Sequence, residues 1–84
     1  MSVAPSPARQ LFARHARKDG RTIAVLRAIE TGEGCLVESE VYPAGTSQPT
    51  RPGPYRFADA AQATAFVTEA VEALIYLGCE VQAA

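Results

Sequence analysis

The steadiest hydrophobic rhythm in the chain runs through residues 59–78, DAAQATAFVTEAVEALIYLG. At ~100° per residue, Ala63, Phe66, Val67, Ala70, Val71, Leu74 and Leu77 share one face, while Gln62, Thr68, Glu69, Glu72 and Tyr76 share the other. Asp59, followed three residues later by Gln62, supplies a capping-box-like start, and Gly78 suits the left-handed position just past a helix end. The pattern predicts one long helix.

Upstream the rhythm shortens towards two. RTIAVLRAIE and CLVESEVY are β-rich runs separated by the turn sequence TGEG. PYRF, just before the helix, reads as a short strand with Pro54 at its start or on an edge, and CEVQ (79–82) as a short closing strand. Between them, PAGTSQPTRPGP (43–54) holds four of the six prolines, which makes it a stiff connection of polyproline character, crossing the sheet or forming an arm. Its PTRP, at Pro49–Pro52, is simplest as rigid linker. Residues 1–8, MSVAPSPA, show no periodicity and read as a flexible arm.

The stretch RHARKDGRTIAVLR (14–27) admits two readings. Ser6 as N-cap, Pro7 at the first helical position and Gly20 past the end would make residues 6–18 a helix. The Asp19-Gly20 pair instead favours a type I′ hairpin turn, which needs positive φ at both central residues. The hairpin is preferred. The expected fold is α+β: an antiparallel β-meander of three to four strands, one long C-terminal helix packed on one face, and a short closing strand. A single domain then covers residues 9–82.

A two-residue Asp19-Gly20 turn sets a register. Arg17–Thr22, His15–Ala24, Ala13–Leu26 and Leu11–Ala28 would share one face, and Ala16–Ile23, Arg14–Val25, Phe12–Arg27 and Gln10–Ile29 the other. A four-residue turn at Thr31–Gly34 adds Ala28–Val37, Leu26–Ser39 and Ala24–Val41 to the first face. It adds Ile29–Leu36, Arg27–Glu38, Val25–Glu40 and Ile23–Tyr42 to the second. The first face is small and apolar, suited to close approach of the helix. The second carries Phe12, Ile23, Val25, Ile29, Leu36 and Tyr42 among Arg14, Arg27, Glu38 and Glu40, too apolar for a solvated face and too charged for a core. These six apolar residues are the expected interaction surface.

Composition strengthens that expectation. A chain of 84 residues buries only roughly 60% of its unfolded surface. Although 48% of its residues are hydrophobic, sixteen of them are alanine, which adds little buried area. A second copy covering apolar surface, in a homodimer, is therefore expected. Charge is uneven: residues 1–28 carry six basic residues and one acidic one, and residues 29–84 two basic and eight acidic. That asymmetry suits an electrostatic partner or self-association, although seven arginines with so many alanines also fit a bacterial-like genome composition. Cys35 and Cys79 form no CxxC and no metal set, so reduced, buried thiols are expected. With no signal-like start and no apolar run near ~20 residues, the chain reads as cytoplasmic, without membrane partner, metal or cofactor.

Catalytic chemistry finds little support. His15 is the only histidine, and in the register above Cys35 lies six residues along its strand from Val41, in the row of His15, or roughly 20 Å away. Cys79 would approach His15 only if the closing strand lay beside the first strand. Glu38 and Glu40 share a face, but Arg27 opposite the first and Arg14 in the row of the second make cross-strand ion pairing the simpler account. HExxH, GxSxG and GxxxxGK[ST] are all absent, and a non-enzymatic protein is expected.

Single-stranded nucleic acid is the alternative partner. Arg14, Arg17, Lys18, Arg21 and Arg27 would provide phosphate contacts, and Phe12 and Tyr42 stacking surfaces. A four-strand meander followed by a helix is similar in element order to the whirly-like, single-stranded-DNA-binding coactivator fold. Glu38 and Glu40 oppose an anionic backbone on that face, whereas Arg17, Lys18 and Arg21 at the hairpin tip escape them. With residues 6–18 helical, the α-β-β-β-α order resembles double-stranded-RNA-binding domains, but the start of the second helix, DAAQATAF, lacks the basic residues that family places there.

Overall fold

In the computed structural model, which describes residues 8–84, residues 9–18 are a strand and the hairpin is formed. The elements follow as β1 (Arg9–Lys18), β2 (Arg21–Thr31), β3 (Gly34–Val41), β4 (Tyr55–Phe57), α1 (Ala60–Tyr76) and β5 (Glu80–Ala83). They make one antiparallel five-stranded sheet in the order β4-β3-β2-β1-β5, an α+β fold with one more strand than the meander alone requires. The expected arm, apart from Ala8, lies outside the described residues.

The turn chemistry acts as its residues dictate. Asp19 and Gly20 both have positive φ, 53° and 76°, the pair that a type I′ turn demands. At the helix start the Asp59 carboxylate accepts from the Gln62 backbone N–H at 2.9 Å, while the Gln62 side chain accepts from the Ala58 N–H at 3.2 Å. At the far end Gly78, with φ 94°, allows a Schellman closure. The Gly78 N–H reaches the Ile75 carbonyl at 2.9 Å and the Cys79 N–H the Leu74 carbonyl at 3.0 Å. The Lys18 ammonium adds a bond of 3.0 Å to the Leu77 carbonyl, placing a cation where the helix dipole is negative. Leu77 itself, expected on the core face, is 66% exposed, because it is the cap at which the chain leaves the helical path.

The β2–β3 ladder has the expected register throughout, from Ala24↔Val41 to Thr31↔Gly34. The β1–β2 ladder does not. It keeps Lys18↔Arg21 and Arg17↔Thr22 beside the turn, then shifts to Ala16↔Ala24, His15↔Val25, Arg14↔Leu26, Ala13↔Arg27 and Phe12↔Ala28, and returns at Gln10↔Ile29. Ile23 is the extra residue at one irregularity and Leu11 at the other, so the two cancel. Between them every residue of β1 changes face.

The exchange brings Phe12 and Ile23 against the helix-side core in place of Ala13 and His15, while Leu11 stays there as expected. Burying those larger apolar side chains gains more than an interrupted ladder costs. The core remains thin: among the described residues, four of the nine buried apolar residues on the helix side are alanines, Ala16, Ala24, Ala28 and Ala63, while a fifth buried alanine, Ala13, lies on the other side of the sheet. Val37, Leu26, Cys35 and Val67 supply bulk at its centre, and Phe66 packs its ring against Tyr55 at 5.0 Å and Phe57 at 5.2 Å.

The Pro-rich connection neither crosses the sheet nor projects as an arm. It folds back along the edge of β3, where Val41 and Thr50 exchange two backbone hydrogen bonds of 2.8 Å. The Ser39 hydroxyl then donates to the Pro52 carbonyl at 2.9 Å. This satisfies Ser39, the one buried polar side chain among the described residues, and covers an edge that β4 alone would leave half open.

Candidate interaction surface on the open face of the sheet

With α1 on one side, the opposite side of the sheet carries the alternate residues of β2 and β3. Val25, Ile29, Leu36 and Tyr42 lie there, all partly buried, with Arg27, Glu38 and Glu40 between them. These four belong to the expected interaction surface. Phe12 and Ile23 do not: the bulges turn both towards the helix-side core. Ala13 and His15 take their places on the open face.

The ion pairs are rearranged with the register. Arg27 bonds Glu40, its diagonal neighbour, at 2.7 Å, and leaves Glu38 exposed without an ion pair among the described residues. Arg51, from the folded-back connection, reaches the other Glu40 oxygen at 3.4 Å, and the Tyr42 hydroxyl donates to it at 3.3 Å. The hydrogen bond from Arg27 foremost, then its charge, the Tyr42 hydroxyl and Arg51, hold the Glu40 carboxyl below its ordinary pKa, against an opposing contribution from partial burial. Arg14 never meets Glu40. It lies on the helix side, 4.9 Å from the Phe12 ring centroid.

The closing strand does pair with β1, setting His15 opposite Gln82. No Cys–His dyad follows. Cys79 packs with Ala16 and Ala24 on the helix side, whereas His15 Nε2 shares a hydrogen bond of 2.7 Å with the Thr22 hydroxyl on the open side. Both cysteines are buried and unpaired. Among the described residues, no group of three or more His, Cys, Asp or Glu could hold a metal, and no helix is long and apolar enough to cross a membrane.

The basic residues do not converge. Arg17 donates to the Gly20 carbonyl at 3.1 Å and Arg21 to the Tyr42 carbonyl at 3.5 Å, both at the hairpin tip. Lys18 is spent on the helix end, Arg27 on Glu40, and Arg14 faces the helix. Phe12 and Tyr42 occupy opposite sides of the sheet and cannot form one stacking platform. No family model, curated protein or solved structure matches the chain.

Proposed function

We propose that the protein is a non-catalytic binding module that self-associates through the open face of its sheet. The observation that carries this reading is the row of Val25, Ile29, Leu36 and Tyr42, which no element of the described chain covers. The thin, alanine-rich core argues in the same direction, because a small domain gains from apolar area buried against a second copy. The charges on that face suit an isologous contact: Arg27 and Glu40 are already paired, and an exposed Glu38 can meet an arginine of the second copy across a two-fold axis.

Sedimentation equilibrium tests this directly. At ~100 μM the protein should be substantially dimeric, and Val25→Glu/Leu36→Glu, which places two charges on the face, should leave a folded monomer. A strictly monomeric wild-type chain at that concentration removes the reading. Binding of single strands that weakens steeply with salt and disappears in Arg17→Ala/Arg21→Ala would instead make the basic tip the working surface.

A further inference from the structure

A second surface lies on the other side of β1, where β5 stops short. β5 pairs with β1 only from Arg17 to Arg14, and the Ala84 N–H adds a last bond to the Ala13 carbonyl at 3.1 Å. From Arg9 to Phe12 the edge of β1 away from β2 has no partner among the described residues. Between this edge and α1 runs a cleft of about 340 Å³, lined by Phe12, Arg14, Thr64, Val67, Thr68 and Val71. Its floor is apolar, its helical rim bears two hydroxyls, and one end holds a guanidinium.

That guanidinium is uncompensated. Arg14 lies over the Phe12 ring and donates one hydrogen bond, of 2.8 Å, to the Ala13 carbonyl. No carboxylate lies within 4 Å of it among the described residues. A half-buried arginine has several donors directed into its surroundings and favours an anionic acceptor. Arg9 adds further positive charge along the same strand, although Glu30 neutralises it in part.

We infer that the cleft between the open edge of β1 and α1 binds an extended acidic–apolar peptide segment by strand addition. The segment continues the column begun by β5, in the antiparallel sense that pairs more stably, with backbone hydrogen bonds to Arg9–Phe12. Side chains on its inner side alternate with solvent-facing ones. A carboxylate close to the end of β5 meets Arg14, and an apolar side chain two residues further on fills the space over Phe12, Val67 and Val71. This surface is separate from the open face of the sheet, and either can fail without the other.

The test is an NMR titration of the isotope-labelled full chain with the capped hexapeptide TETVTV and its uncharged counterpart TQTVTV. The acidic peptide should shift the amides of Arg9–Phe12 and of the helix at Thr64 and Thr68, and slow hydrogen exchange along the edge. The Gln peptide, and the acidic peptide with Arg14→Gln, should each bind at least ~10-fold more weakly, the loss expected for one charge-assisted hydrogen bond. Thr68→Glu, at an exposed helix position, should abolish binding by supplying a carboxylate in cis, while the remaining spectrum shows the fold intact. Equal binding of the two peptides, no shifts at millimolar peptide, or full binding by Thr68→Glu overturns the inference. Edge protection that rises with protein concentration in the absence of peptide also overturns it, because a second copy would then be the occupant.

Discussion

β2 forms with β3 an unbroken ladder from Ala24↔Val41 to Thr31↔Gly34, and with β1 a ladder interrupted twice within one hairpin. The first is held by side chains that can occupy only one side. Cys35, Val37 and Ser39 are buried, with Leu36, Glu38 and Glu40 alternating outside. The second is held at its ends, by the Asp19-Gly20 turn and by Arg9–Glu30, whose side chains meet at 3.1 Å. In its middle, alanines at 13 and 16 impose little preference for either side. A register written in large side chains is rigid, whereas one written in alanine yields to whatever else can be buried, here Phe12 and Ile23.

The sharpest way to probe this contrast is to remove bulk from the regular ladder. Val37 is fully buried between α1 and the sheet centre. Val37→Ala should cost about 2–3 kcal/mol, read as a lower urea midpoint with unchanged slope. The turn anchoring the bulged ladder should matter less. At Gly20 an added Cβ meets nothing within 4 Å, so Gly20→Ala carries only the strain of its positive φ, about 1 kcal/mol by the same measurement. A loss as large as that of Val37→Ala would mean that the turn, and not the core, fixes the hairpin.

The smallest expected effect concerns charge on the open face. The Glu40 carboxyl has its pKa lowered in the folded protein. Its contribution is therefore fully present above the ordinary glutamate value of 4.5 and is lost as pH falls through the lower folded value. Glu40→Gln should flatten the acid limb of the stability profile without altering its neutral shape. It should also release the folded-back connection, seen as faster exchange of the Thr50 amide that bonds Val41.

Much of the molecule was legible wherever sequence pattern and geometry have the same short range. The helix is written in its period and its caps, Asp59, Gln62 and Gly78. The β2–β3 register follows from strict alternation after a turn of known length. The bulges left no distinct mark: both members of Leu11–Phe12 and of Ile23–Ala24 face the core, but Ile23–Ala24 sits inside the apolar run Ile23–Leu26, and Ala28–Ile29 is an equally apolar pair in regular register with β3. An alternating template read through them assigns Phe12 and Ile23 to the wrong surface and turns Arg14 towards Glu40. The pairing of β5 with β1 and the return of Arg51 to Glu40 have no local signature at all, because their partners are far apart in the chain. Of the candidate surface, the half on β2 and β3 was readable for the same reason that its register was.

The position of β5 also sets an order of assembly. The β1–β2 and β2–β3 hairpins close over turns of a few residues, at little entropic cost, whereas joining Glu80 to Arg17 closes about three quarters of the chain. That closure becomes favourable only after α1 has settled on the sheet, since Cys79 and Val81 find their cover in Leu74, Ala16 and Ala24. Loop closure thus predicts β5 as the last strand to arrive, so that through the earlier steps the full length of β1 would present an unpaired edge.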